Sequence, residues 1–146
     1  MLRFPSIIVL CVSLSACGSL QQGVFSDNTT SPAQPVSEQP AVVALLDTAR
    51  HQSSSGHADR AAATLERAVK IEPRNPRLWQ QLARLRLQQG KWSQAEHLAS
   101  KSSALAQRDR AIQAQNWRII AEARSKQGNR KGADRALARA NSLENL

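Results

Sequence analysis

Gly56 and Gly90 stand 34 residues apart, and the same offset pairs Leu45 with Trp79, Ala49 with Ala83, Ala61 with Ala95, Ala63 with His97 and Ile71 with Leu105. A shift of 38 carries the pattern on, from Trp79 to Trp117, Leu82 to Ile120, Ala83 to Ala121, Gly90 to Gly128, Ala95 to Ala133 and Leu105 to Leu143. A period of this length marks stacked supersecondary units, because one unit cannot bury its own apolar face and neighbours must cover it. Each copy reads as an Ala-rich amphipathic helix, a turn containing Gly, and a second amphipathic helix. Aromatic residues make up only 3% of the chain and Tyr is absent, which excludes an aromatic-rich β-sandwich or barrel. Ala, Leu, Gln and Arg recur instead, and they lose little on entering a helix. The expected fold is all-α.

The copies start at Val42, Pro76 and Ala114, giving repeats over 42–75, 76–109 and 114–146. The register resembles the tetratricopeptide repeat. The middle copy matches at Trp79, Leu82, Ala83, Gly90, Trp92, Ala95 and Leu105, and the first at Ala49, Gly56, Ala61, Leu65, Ala68, Ile71 and Pro73. Trp117, Ile120, Ala121, Gly128, Ala133, Leu137, Ala140 and Leu143 carry the third. The resemblance implies a short right-handed α-solenoid of three hairpins, with Trp79 and Trp117 filling the space between neighbours. Local chemistry agrees: Asn75-Pro76 is a helix start, Asp109 is a candidate N-cap, and Gly90 and Gly128 fall where helices end. The position where the family usually has an aromatic holds Gln52, Arg86 and Arg124, and one large apolar position is only Ala99. These departures thin each hairpin's core, so a modestly stable domain is expected. Four extra residues around 107–111 lengthen a helix or loop ahead of the third copy.

Before the repeats, Phe4 to Leu14 is an almost wholly apolar run behind Arg3, too short for a comfortable membrane span and readable as a secretory signal over 1–16. Its end, Leu14-Ser15-Ala16-Cys17, resembles the lipobox of bacterial lipoproteins. That resemblance implies cleavage before Cys17 and lipidation of Cys17. Gly18 is not the Asp that commonly retains such proteins in the inner membrane, so the implied destination is the outer membrane, facing the periplasm. The two cysteines, Cys11 and Cys17, have no later partner, which excludes a disulfide framework. From 17 to 40 the chain is Ser, Thr, Gln, Asn and Pro with only Asp27 and Glu38 charged, a tether that spans about 75 Å when taut and about 27 Å as a coil.

Nineteen of the 20 basic residues lie after position 40, against nine of the 11 acidic ones, within a chain of net charge +9. In the tetratricopeptide family the concave surface is built from first helices. Carried onto this sequence, that surface holds Arg50, Arg77, Gln80, Arg84, Arg118 and Lys126, with Glu122 as its carboxylate. Five cations against one carboxylate attract an acidic or C-terminal peptide partner through steering and charge-assisted hydrogen bonds. Nucleic acid is excluded as a partner by a periplasmic location and by the lack of an aromatic stacking platform. Anionic lipid headgroups near the anchor are reasonable further contacts. No catalytic residue, metal site or cofactor is expected: His51, His57 and His97 are isolated, Ser53-Ser54-Ser55 has no nucleophile context, and no carboxylate pair stands out.

Lipobox, tether and C-terminal repeats together are similar to the outer-membrane repeat lipoproteins that activate class A penicillin-binding proteins, the bifunctional peptidoglycan synthases. That similarity implies stimulation of glycosyltransferase and transpeptidase activity by direct contact, without catalysis by the lipoprotein. The alternative is a pilotin-like or assembly-scaffold role for an outer-membrane or cell-wall complex.

Overall fold

The computed structural model describes residues 36–145, so the signal, Cys17 and most of the tether lie outside the described residues. Within them are six α-helices and no strand: α1 Pro40–Ser54, α2 Ala58–Ile71, α3 Pro76–Gln88, α4 Trp92–Ala106, α5 Arg110–Lys126 and α6 Arg130–Glu144. They pair as three antiparallel hairpins, α1 with α2, α3 with α4 and α5 with α6, and α2 and α4 each pack on the first helix of the next hairpin. This is the expected all-α solenoid.

The hairpin turns follow from one glycine per copy. Gly90 has φ +74, a left-handed conformation that costs an L side chain and costs glycine little. There the Lys91 N–H reaches back to the Arg86 carbonyl at 2.9 Å, closing the end of α3. Gly56 and Gly128 repeat the turn with φ +79 and +80. The helix starts also fall as the sequence dictates. Asn75 Oδ1 accepts from the Arg77 N–H at 3.0 Å with Pro76 behind it, and Asp109 Oδ1 accepts from the Ile112 N–H at 3.0 Å. The four extra residues become a helical turn, since α5 runs 17 residues where α3 runs 13. The third first-helix therefore begins at Arg110, one turn before Ala114, after Gln107 takes φ +46 to reverse the chain.

The core divides in two. Val42, Leu46, Ala61, Leu65, Leu78 and Leu82 bind the first hairpin to α3, with Trp79 packed against them, and Ala83, Ala95, Ala99, Ile119, Ile120 and Ala136 bind the second and third hairpins, with Trp92 and Trp117 at the margin. The small residues Ala61, Ala83, Ala95 and Ala99 are almost wholly buried, which lets the helices approach closely. Trp79 and Trp117 are only half-buried, so they wedge the hairpin joints from the side. The Trp79 Nε1–H donates to the Pro73 carbonyl at 2.8 Å.

The positions lacking the usual aromatic are filled by polar ties. Gln52 accepts from Thr64 at 2.8 Å, Arg86 pairs with Glu66 at 2.6 Å, and Arg124 pairs with Glu96 at 2.7 Å. Both arginines reach back to the second helix of the preceding hairpin. Because the Arg124 and Glu96 side chains are each less than a third exposed, their bond is partly shielded from water. Arg124→Ala is expected to cost about 1–2 kcal/mol in urea unfolding, and a double-mutant cycle with Glu96→Ala should recover most of it as coupling.

The tether ends earlier than its composition indicates. Val36 packs on the first core cluster, Ser37 is buried with its hydroxyl donating to Glu72 at 2.5 Å, and the Asn75 amide donates to the Val36 carbonyl at 2.6 Å. Residues 36–39 are thus held across the start of α3, and α1 begins at Pro40. The reason is tertiary: both anchors lie more than 30 residues away.

Candidate functional site

The first helices α1, α3 and α5 carry the side chains expected to line the concave surface, and two cavities open there. One, of about 410 Å³, lies between α1 and α3, where the two helices make no close backbone contact. Its floor is Leu46, Ala49, Leu65 and Leu85, and its rim is Arg50, Ser53, Ser54, Gln81, Arg84 and Gln88. The other, of about 530 Å³, lies between α3 and α5 and is lined by Arg84, Leu87, Gln88, Trp92, Gln115, Arg118, Ile119, Glu122 and Lys126. Arg84 and Gln88 belong to both.

The expected residues separate by what they already hold. Arg84 donates to Gln115 Oε1 at 2.9 Å and forms no ion pair, while Lys126 forms none among the described residues. These two are the cations of the groove most available to a partner. Arg50 is tied to Asp47 at 2.6 Å in an exposed pair. Such a pair is worth little and yields readily to a competing carboxylate. Arg118 grips Glu144 with two nitrogens, Nη2 at 2.6 Å and Nε at 3.2 Å, joining α5 to the end of α6. Arg77 lines neither cavity and lies 3.8 Å from Asp109 at the other end of α3.

Gln80 is a correction. Expected on the groove wall, it is 7% exposed, and its amide donates to Asn116 Oδ1 at 3.0 Å and to the Ile112 carbonyl at 3.3 Å. Asn116, fully buried, donates in turn to Ser102 Oγ at 2.8 Å, whose hydroxyl donates to the Pro76 carbonyl at 2.7 Å. This polar chain ties α3, α4 and α5 and offers nothing to solvent. The repeat contained a signal for it: Asn116 occupies the register position of Leu78, and a polar residue at a core position needs a buried partner. Trp92, matched above only as a repeat position, also lines the second cavity and gives it an aromatic wall. His51, His57 and His97 are all exposed. Among the described residues no three His, Cys, Asp or Glu side chains converge as metal ligands, and no helix is long and apolar enough to cross a membrane.

Three stacked hairpins with a cation-rimmed inner groove define a protein-interaction module built from tetratricopeptide repeats, and the model of that family matches residues 53–116. The chain belongs to this family, as an LpoP-like member. The solved globular C-terminal domain of LpoP from P. aeruginosa superposes with a TM-score of 0.69 at 43% identity, covering 72% of this chain and 99% of that one. The N-terminal domain of stress-induced protein-1 from C. elegans, at 17% identity, shares the fold with a TM-score of 0.65, covering 70% of this chain and 84% of that one. No curated protein sequence matches the chain.

Proposed function

We propose that this chain is a lipoprotein, anchored in the outer membrane through Cys17, whose repeat domain binds and activates a class A penicillin-binding protein from the periplasmic side. The observation that carries the reading is the 43% identity to the LpoP domain over 99% of that domain's length. The lipobox ending at Cys17 and the polar tether after it supply the anchor and the reach. Activation needs no chemistry from this chain. A partner that binds the synthase's active conformation better than its inactive one shifts the population, by no more than that difference in affinity.

The groove fits an extended or helical segment of the synthase carrying a carboxylate beside apolar side chains. The carboxylate meets Arg84 and Lys126, and the apolar side chains enter the Leu46, Leu65 and Leu85 cavity. Titrating the domain into the purified synthase, while following glycan polymerisation and peptide crosslinking, is expected to give a saturable rise in both rates. Arg84→Glu with Lys126→Glu should weaken the half-saturation by about tenfold or more, as loss of charge-assisted contacts at an interface does. Unchanged stimulation by that variant would exclude the groove. No stimulation or binding by the native domain would exclude the synthase and favour the assembly-scaffold reading, to be pursued by crosslinking in cells.

A further inference from the structure

The second helices carry a different charge pattern. On α2, Arg60, Arg67 and Lys70 fall on one exposed helical face; on α6, Lys131, Arg135 and Arg139 repeat at every fourth residue and are all exposed. None of the six enters an ion pair among the described residues. The carboxylates on these helices are mostly occupied elsewhere, Asp59 by Lys91, Glu66 by Arg86 and Glu144 by Arg118, so Asp134 alone is left without an ion pair.

Folding gains little from this arrangement, Lys70 in the last turn of α2 being the one of the six that the helix dipole favours. Like charges one turn apart repel, and Lys131 stands in the first turn of α6, which holds no acid, where the helix dipole opposes a cation. Ile71, 44% exposed, follows Lys70 and lies one turn from Arg67, adding an apolar contact at the edge of the basic face.

We infer that the exposed basic faces of α2 and α6, together termed the outer face, adsorb to an anionic lipid surface, the leaflet to which the chain is tethered under the proposed anchoring. The phosphates of such a surface match exposed guanidinium and ammonium groups that enter no ion pair among the described residues, and basic residues near an anionic leaflet each add to binding. About 19 residues separate Cys17 from the docked segment at Val36, a length of chain short enough for weak attraction to the tethering leaflet to act intramolecularly.

The inference concerns a surface separate from the groove, and its test contains no synthase. The described residues 36–145 fall in one compact unit, and the corresponding domain of the P. aeruginosa relative is a solved chain on its own, so the isolated domain is the object to use. It is sedimented with phosphatidylcholine vesicles and with vesicles containing phosphatidylglycerol, at low and raised salt. Two variants of equal net charge are compared: Arg67→Glu, Lys131→Glu and Arg135→Glu on the outer face, and Arg50→Glu, Arg84→Glu and Lys126→Glu in the groove. The expected result is salt-sensitive binding to the anionic vesicles alone, weakened at least about tenfold by the outer-face variant and much less by the groove variant. Equal weakening by both variants would reduce the effect to net charge and overturn the inference. So would equal binding to neutral vesicles, or binding to soluble polyglutamate as tight as to anionic vesicles, which would assign the face to an acidic protein.

Discussion

Asn116→Leu is expected to destabilise the domain by about 2–3 kcal/mol, although leucine is what the preceding repeat carries at the same register position, Leu78. Asn116 is fully buried, accepts from Gln80 Nε2 at 3.0 Å and donates to Ser102 Oγ at 2.8 Å. Removing its amide deletes two hydrogen bonds. It also leaves the buried Gln80 amide with only the longer bond to the Ile112 carbonyl. A buried polar group stripped of its partner costs its full desolvation, whereas replacing both partners by apolar groups is far milder. The double variant Gln80→Leu with Asn116→Leu should therefore cost clearly less than the sum of the two single changes. Denaturant midpoints for the three variants check this, and strict additivity would show that the two amides do not act as one unit.

The second large effect is expected at Leu78, with Ile120 one of the two largest fully buried side chains among the described residues, set where α3 meets the first hairpin. Leu78→Ala should cost about 3–4 kcal/mol, the transfer term of the lost methyl and methylene groups plus the cavity left behind. The consequence is local. Among the described residues α1 makes no close backbone contact with α3, so the first hairpin is joined to the rest through α2 and the core around Leu78. In a solenoid, stability is approximately a sum of repeat and neighbour terms, and weakening one joint releases the units beyond it. Amide exchange in α1 and α2 should accelerate well before that in α5 and α6, which rest on the separate cluster of Ile119, Ile120 and Ala136. Uniform acceleration across all six helices would instead show that the domain unfolds as a single unit.

The repeat arithmetic carried much of the fold. Spacing placed the three turns at Gly56, Gly90 and Gly128, and capping chemistry placed helix starts at Pro76 and after Asp109, because each feature is decided within a few residues of chain. The substitutions at the usual aromatic position were visible as departures. The role of Arg86 and Arg124 as ties between hairpins was not, since Glu66 and Glu96 lie 20 and 28 residues from them. The docked segment 36–39 escaped a reading by composition for the same reason.

The candidate site divides along the same line. The repeat register put Arg50, Arg84, Arg118 and Lys126 on first helices, where Arg50 lines the first cavity, Arg118 and Lys126 the second, and Arg84 both. Which of them are available to a partner was decided by neighbours distant in sequence: Glu144 grips Arg118, and Asn116 draws Gln80 into the core. By itself, then, the sequence determined the number of hairpins, their turns and the sign of their surfaces, because turn conformation, capping and amphipathic period are local properties. Only the tertiary structure decided which polar side chains face solvent and where the cavities open, because burial depends on what the stacked hairpins bring against each residue.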